Sequence, residues 1–173
     1  MSKILIVFAQ FAEAQAFLNY VSAKPDTRKN ISIWSEGEQH SLYAFDKGWV
    51  AISGVGLHQA QMCVAKYAAF CDEVWNLGLA GSLHGSLAIG QIQVIETISK
   101  YIPLEEGILD QVSQECVSFI LPHFKLEGKG SQLITSDFPI HHAYYREKLG
   151  KRWDLVDMEG YGIAFAASAL GKK

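Results

Sequence analysis

Two carboxylates stand close together near the end of the chain, in the sequence Asp157-Met158-Glu159-Gly160. They follow a strand-like run, 153–156, and precede an apolar, alanine-rich segment, 163–170, that has the pattern of a helix. A carboxylate between a buried strand and a helix N-terminus is costly to desolvate unless a partner or ligand uses it. The helix dipole favours its ionised form there. Such an acceptor could bind the vicinal hydroxyls of a ribose, or it could only cap the helix.

Small or acidic residues end three further segments that have the apolar pattern of buried strands. The ends of all four strands are, in chain order, 9–13, Ser53-Gly54-Val55-Gly56, Gly78-Leu79-Ala80-Gly81 and Asp157-Met158-Glu159. Because the carboxyl ends of parallel strands meet at one edge of a sheet, we expect these residues to converge. Glycines at such ends let backbone amides approach a flat ligand closely.

Strands alternate with helices along the rest of the chain. Helices are predicted over 13–21, 58–70, 107–121, 143–149 and 163–170, and strands over 4–9, 31–34, 41–46, 49–53, 73–79, 91–96, 132–135 and 154–156. This alternation predicts a three-layer α/β fold, with a mixed, mostly parallel central sheet and helices on both faces. The most apolar strands, 4–9, 49–53, 73–79 and 154–156, are expected in the interior of the sheet.

The composition indicates one compact domain over residues 1–173. The chain is 49% hydrophobic and 19% charged, and its length suffices for a single core. Its net charge of −3 and its scattered arginines provide no basic face for nucleic acid. No stretch approaches the roughly 20 apolar residues that span a bilayer, so no membrane partner is expected. The three cysteines lack the spacing of a disulfide framework or a zinc site, which favours reduced thiols in the cytoplasm.

Several of these stretches match a known family in the same order. The chain resembles the methylthioadenosine/S-adenosylhomocysteine nucleosidases, within the wider nucleoside phosphorylase superfamily. The matching stretches are 4–13, 53–56, 76–83, 88–92, 134–137 and 156–160, and they reach from the first strand to the last helix. The short region between residues 95 and 132 resembles the futalosine hydrolase branch, which serves menaquinone synthesis.

The resemblance implies roles for particular residues. Glu13 falls on the carboxylate that activates the attacking water, and Glu159 falls on the one that binds the ribose hydroxyls. Met158 would pack against the sugar, and Ala80 and Gly81 would line the floor of the site.

A second group of residues would bind the rest of the substrate. Phe138-Pro139-Ile140 matches the segment that covers the purine with an aromatic ring and binds its edge through backbone groups, although the aromatic position falls at Pro139. Phe138 and Ile140 are therefore predicted to bind substrate. Ser53, which begins the shared Gly-x-Gly stretch, is predicted to do the same.

The group that protonates the leaving purine is not found in this sequence. In the family it is an aspartate of a Ser-Asp pair, on a strand that follows the last helix predicted here. The sequence stops at Lys173, so we expect the acid, together with the last strand and helix of the domain, to lie beyond it. Asp137 belongs to a different motif and is expected to be structural.

The resemblance implies a hydrolase that cleaves the N-ribosyl bond of a 5′-substituted adenosine and releases adenine, with no cofactor or metal. The candidate substrates are 6-amino-6-deoxyfutalosine, methylthioadenosine and S-adenosylhomocysteine. This cleavage develops positive charge on the sugar, which one fixed carboxylate stabilises while a second deprotonates water. A homodimer is also implied, with Tyr101-Ile102-Pro103-Leu104 as the predicted local contributor to its interface.

Other functions remain open at this point. A purine nucleoside phosphorylase would need cationic side chains to bind phosphate. No arginine lies on a predicted strand-end loop, and Glu13 would repel the phosphate anion, so hydrolysis is favoured. A non-catalytic nucleoside-binding protein is compatible with the missing acid. A metal site of Asp137, His141 and His142 is the weakest alternative, because adjacent histidines usually point to opposite sides, which favours loop or helix-cap roles.

Overall fold

The computed structural model describes residues 2–26, 41–101, 118–120 and 130–173. Its strands are β1 (Ile4–Phe8), β2 (Lys24–Pro25), β3 (Ser41–Phe45), β4 (Gly48–Ile52), β5 (Glu73–Asn76), β6 (Gly81–Ser82), β7 (Ile95–Lys100), β8 (Ser118–Ile120), β9 (Ser131–Thr135) and β10 (Leu155–Asp157). Its helices are α1 (Phe11–Tyr20), α2 (Leu57–Tyr67), α3 (Ala143–Gly150) and α4 (Gly160–Ala169), and a 3₁₀ turn, Ala68–Phe70, follows α2. None of the helices in these ranges is long and apolar enough to cross a membrane.

The strands form two five-stranded sheets. Their orders are β2-β3-β4-β1-β5 in the first sheet and β6-β10-β9-β7-β8 in the second. The pairs β4–β1, β1–β5, β10–β9 and β9–β7 are parallel. The pairs β2–β3, β3–β4, β6–β10 and β7–β8 are antiparallel. The predicted mixed α/β architecture is confirmed, and the sheet expected to be single is divided in two.

Helices cover both faces of the first sheet. They are needed on both faces because β1 has apolar side chains on each, and these side chains alternate between two cores. Leu5 and Val7 pack into a core with α2 and α4. Ile6 and Phe8 point the other way and pack with Leu18 of α1. The predicted three layers therefore follow from the period of two in a strand that is apolar on both faces.

Helix α4 packs against both sheets. Its Ile163 lies in the core shared with β1, and its Tyr161 lies in a second core with Ile98 and Leu133. On the opposite face of the second sheet, Leu149 of α3 packs against β9. The start of α4 is thereby fixed next to the carboxyl ends of strands from both sheets.

The positions of the predicted interior strands are only partly as expected. β4 lies between β3 and β1, and β10 lies between β6 and β9, so both are interior as predicted. The prediction for 73–79 is wrong, because β5 ends at Asn76 and is the last strand of its sheet. On its outer side, Val74 N–H donates to the carbonyl of Lys173 at 2.7 Å.

Two predicted elements need correction. The strand expected over 91–96 starts at Ile95 and ends at Lys100, and Ile92, which suggested an earlier start, is 92% exposed. The C-terminal end of the helix expected over 107–121 is instead β8, which pairs antiparallel with β7, so sheet pairing overrides the local pattern. The rest of that helix and the strand expected over 31–34 lie outside the described residues.

Candidate active site

A cavity of about 380 Å³ lies where the predicted strand ends meet. Its wall comes from residues that follow β1, β4, β9 and β10, from the segment that leads into β6, and from α3. Six of the predicted site residues line it: Glu13, Gly81, Phe138, Ile140, Met158 and Glu159. Residues that are far apart in the sequence therefore share one wall, as expected for the carboxyl ends of parallel strands.

The other two predicted site residues do not belong to this wall. Ala80 is exposed and lies between the wall residues Leu79 and Gly81. Ser53 is fully buried, and its hydroxyl lies 2.8 Å from the carbonyl oxygen of Gly54 and 3.3 Å from that of Phe8. Ser53 thus holds the turn after β4 to the end of β1, and a role in binding for either residue stays a prediction.

Glu13 lies in the first turn of α1, directly after β1. Its Oε2 is buried and has no hydrogen-bond partner among the described residues. Burial raises the pKa of Glu13, and the negative charge of Glu159 raises it further, against the opposing effect of nearby backbone hydrogen bonds. A carboxylate with one buried, unpaired oxygen and a raised pKa is well suited to accept a proton.

Glu159 immediately precedes α4 and is held in place by the turn after β4. Its Oε1 accepts a hydrogen bond of 2.7 Å from the backbone N–H of Gly56. Gly56 has a φ of +107°, a conformation that residues with side chains rarely adopt. The Gly-x-Gly turn therefore presents its amide to Glu159, and the carboxylate keeps acceptor capacity for a ligand in the cavity.

The side chain of Asp157, two residues before the N-cap Glu159, binds the first N–H group of α4. Its Oδ2 accepts a 2.8 Å hydrogen bond from Gly160 N–H, and its Oδ1 accepts a 2.6 Å hydrogen bond from the Thr135 hydroxyl. That hydroxyl oxygen in turn accepts from Tyr161 N–H at 2.9 Å. Burial raises the pKa of Asp157 to about 6 in spite of these bonds. Asp157 and Glu159 both line the cavity, but both oxygens of Asp157 accept hydrogen bonds within the protein, whereas Glu159 keeps acceptor capacity for a ligand.

The segment after β9 forms another part of the wall. Phe138 is 43% exposed, and its ring contacts that of Tyr101 edge-on, with centroids 6.0 Å apart. The buried Ser136 hydroxyl donates a 2.7 Å hydrogen bond to the Phe138 carbonyl. This bond fixes the backbone of the turn, and the segment from Phe138 to Ile140 lines the cavity.

Arg146 is a wall residue that the sequence did not indicate. It reaches the cavity from α3, and its Nη2 donates a 2.8 Å hydrogen bond to the carbonyl of Ser82. The residues at the predicted strand ends do not include Arg146, because it lies on a helix. No arginine was predicted on a strand-end loop, and Arg146 enters the cavity wall from α3 instead.

The alternative metal site is not formed by the histidines named for it. His142 caps α3, because its Nδ1 accepts a 3.3 Å hydrogen bond from Tyr144 N–H, which confirms the predicted cap role. Asp137 lies 3.6 Å from Lys100 Nζ, outside the cavity wall. In the described parts of the chain, no three His, Cys, Asp or Glu side chains are grouped so that they could hold a metal ion.

Comparison with known proteins identifies the fold. No protein-family model matches the chain, and no curated protein matches its sequence. Among solved structures, a variant of the Helicobacter pylori methylthioadenosine nucleosidase with 5′-methylthioadenosine in its active site has a TM-score of 0.76 at 18% identity, over 99% of this chain and 81% of that one. The chain has the fold of these nucleosidases.

Two further structures support this assignment of the fold. The Neisseria meningitidis 5′-methylthioadenosine/S-adenosylhomocysteine nucleosidase, in complex with methylthio-immucillin-A, has a TM-score of 0.76 at 18% identity, over 99% of this chain and 82% of that one. A mutant of the Helicobacter pylori futalosine hydrolase has a TM-score of 0.74 at 18% identity, over 99% of this chain and 86% of that one. The resemblance stated from the sequence is thus confirmed for the fold, and it includes the futalosine branch.

Proposed function

We propose that the protein is a purine nucleosidase that hydrolyses the N-ribosyl bond of a 5′-substituted adenosine and releases adenine. The observation that carries the proposal is the meeting of Glu13 and Glu159 in the wall of one cavity. One carboxylate has a buried oxygen without a partner, and the other is anchored by the Gly56 amide. The similar fold of solved nucleosidases, one of which contains 5′-methylthioadenosine, supports it.

In the proposed reaction the two carboxylates have different tasks. Glu13 takes a proton from water, whose oxygen attacks C1′ of the ribose while the C1′–N9 bond breaks. Glu159 accepts hydrogen bonds from the ribose hydroxyls, and its charge stabilises the positive charge that develops on the sugar. Met158, which lines the same wall, would pack against the sugar ring.

The base would lie between the Phe138 segment and the floor of the cavity. Gly81 forms part of this floor, and a Cβ there would lie only 3.3 Å from Val156 Cγ1. Glycine at this position avoids that crowding and presents no side chain of its own to an aromatic base. Ala80 would extend this floor, and the backbone around Ile140 would bind the edge of the base.

The candidate substrates are 6-amino-6-deoxyfutalosine, methylthioadenosine and S-adenosylhomocysteine, and the first of these would place the protein in menaquinone synthesis. The likeness to a futalosine hydrolase supports that assignment. Incubation with the three nucleosides, followed by chromatography of the products, tests the proposal. We expect free adenine from at least one of them, and no adenine from any would refute the proposed function.

Arg146 is the observation that favours a phosphorylase as the second candidate, because phosphorolysis needs a cation for phosphate. Glu13 opposes it, since a carboxylate in the same wall repels that anion. The two reactions differ in their sugar product and in their dependence on phosphate. We expect adenine release to be independent of phosphate and to yield the free sugar; formation of a sugar 1-phosphate would identify a phosphorylase.

We also propose that the protein works as a homodimer in the cytoplasm. Leu79, Ile89 and Ile92 are 80%, 107% and 92% exposed, and apolar side chains so exposed favour an interface. The segment 101–104 is predicted to contribute to the dimer interface, and only its Tyr101 is among the described residues. Light scattering at tens of micromolar should give twice the mass of the chain, whereas the mass of one chain would reject the dimer.

A further inference from the structure

Opposite charges lie at the two ends of the segment 78–82, whose Leu79 and Gly81 line the cavity. Glu13 Oε2 lies at the Gly78 end, where a Cβ on Gly78 would be 3.4 Å from it. Arg146 Nη2 binds the carbonyl of Ser82 at the other end. Ser82 is the fourth residue after Gly78, so the Cα atoms of these two residues are at most about 14 Å apart.

The guanidinium of Arg146 is positioned as well as charged. A guanidinium has five N–H donors, has no acceptor and keeps its charge in proteins. One donor binds the Ser82 carbonyl, which orients the group, and donors remain for a ligand. Among the described wall residues, Arg146 is the only lysine or arginine.

The place proposed for the base lies next to this group. The segment from Phe138 to Ile140 leads into α3, which carries Arg146, and Gly81 directly precedes the Ser82 that holds it. A base between this segment and Gly81 would therefore meet the guanidinium with one edge. We propose that Arg146 is a catalytic residue that donates hydrogen bonds to the purine and stabilises it as a leaving group, an inference that rests on the proposed function.

The chemistry of the step gives such a group a task. When the C1′–N9 bond breaks, its electron pair moves onto the purine, whose ring nitrogens are acceptors for N–H donors. The oxygen of the attacking water bonds to C1′, one of its protons passes to Glu13, and the purine gains a proton from solvent or from the acid expected beyond Lys173. Arg146 keeps its own protons, so it lowers the energy of the departing base by charge and hydrogen bonding, not by proton transfer.

The test compares leaving groups that differ in their need for this stabilisation. Arg146→Gln removes the charge, and Arg152→Gln is the matched control, because Arg152 lies over the Trp153 ring, 5.0 Å from its centroid, outside the wall. With methylthioadenosine we expect Arg146→Gln to lower kcat by about 100-fold, as for the loss of one donor to a developing anion. With p-nitrophenyl 5-methylthioriboside, whose leaving group is stable as an anion, we expect a loss below about threefold. Arg152→Gln should leave both rates unchanged.

Two results would overturn the inference. An equal loss with both substrates would show that Arg146 only supports the fold of the site, and no loss with methylthioadenosine would show that it does not act on the base. Thermal unfolding of the variants, compared with wild type, identifies any global loss of structure. Arg146→Lys, which keeps the charge without the fork of donors, should recover part of the rate.

A binding experiment keeps this inference separate from the proposed function. Arg146→Gln should weaken the binding of methylthioadenosine by about 10-fold, the loss of one hydrogen bond from a charged donor, and leave the binding of methylthioribose unchanged. If wild type released no base from any nucleoside, the proposed function would fail, and this titration would still decide whether Arg146 binds the base. Equal binding of both ligands by wild type and variant would reject that contact.

Discussion

Replacing Asp157 with asparagine removes the charge buried at the start of α4, and the resulting change in stability should depend on pH. In the folded protein burial raises the pKa of Asp157 from 3.8 to about 6. The folded state therefore holds this proton more tightly than the unfolded state does. Its stabilising contribution is fully present below the unfolded pKa and is lost as the pH rises through about 6.

The size of this effect follows from the shift. A difference of about 2 pH units, at about 1.4 kcal/mol per unit, amounts to about 3 kcal/mol over the whole titration. About 2 kcal/mol of this difference arises between about pH 4.5 and about pH 7.5, and unfolding can be measured at both of these pH values. Asparagine does not titrate, and it can replace only one of the two acceptor oxygens that serve Thr135 and Gly160.

The assay is urea unfolding of wild type and Asp157→Asn at both pH values. Groups that do not interact with Asp157 act equally in the two proteins, so the difference between their free energies of unfolding reports on Asp157 and its interaction with Glu159. We expect this difference to shift by about 2 kcal/mol in favour of the asparagine variant between the lower and the higher pH. A difference that stayed constant within about 0.5 kcal/mol would show that Asp157 is not a buried titrating cap.

Three further predictions concern the carboxylates of the cavity and the packing beneath them. The pH profile of kcat/KM should rise through a pKa above the ordinary value for glutamate, because Glu13 acts when ionised and burial raises its pKa; a profile that is flat across the acid range would contradict this. Glu159→Gln should raise KM and lower kcat together, since it weakens contacts to the ribose in both ground and transition states, and steady-state kinetics in which neither constant changed would count against this role. Gly162→Ala should destabilise the protein by about 1–3 kcal/mol, because its Cβ would clash with the backbone oxygen of Leu57. The control Gly85→Ala, whose Cβ meets nothing within 4 Å, should change the free energy of unfolding by less than about 0.5 kcal/mol.

The order of the elements could be predicted because the strands that form the sheet centres are strongly apolar. The pattern of β1 predicted a strand covered on both faces, and its side chains do alternate between two cores. The pairing of β8 with β7 depends on contacts between segments that are distant in sequence, so the local pattern of 107–121 could not reveal it. The edge position of β5 likewise depends on which strands meet, because its apolar residues resemble those of an interior strand.

The cavity could be predicted where its residues lie at strand ends, and not elsewhere. Glu13 and Glu159 each follow a strand, so their type and position suggested a shared edge. The capping bond between Asp157 and Thr135 joins two strands, and no spacing in the sequence shows which carboxylate it uses. Arg146 reaches the cavity across a helix surface, where an arginine usually points to solvent.

The most direct test of the central claim is adenine release by wild type and by Glu13→Gln from the same nucleoside. Glutamine keeps the shape of the side chain and cannot accept the proton of water as the carboxylate does. We expect the variant to bind methylthioadenosine within about threefold of wild type and to release adenine about 100- to 10,000-fold more slowly. Release of adenine by Glu13→Gln at the wild-type rate would contradict the hydrolase mechanism proposed for this cavity.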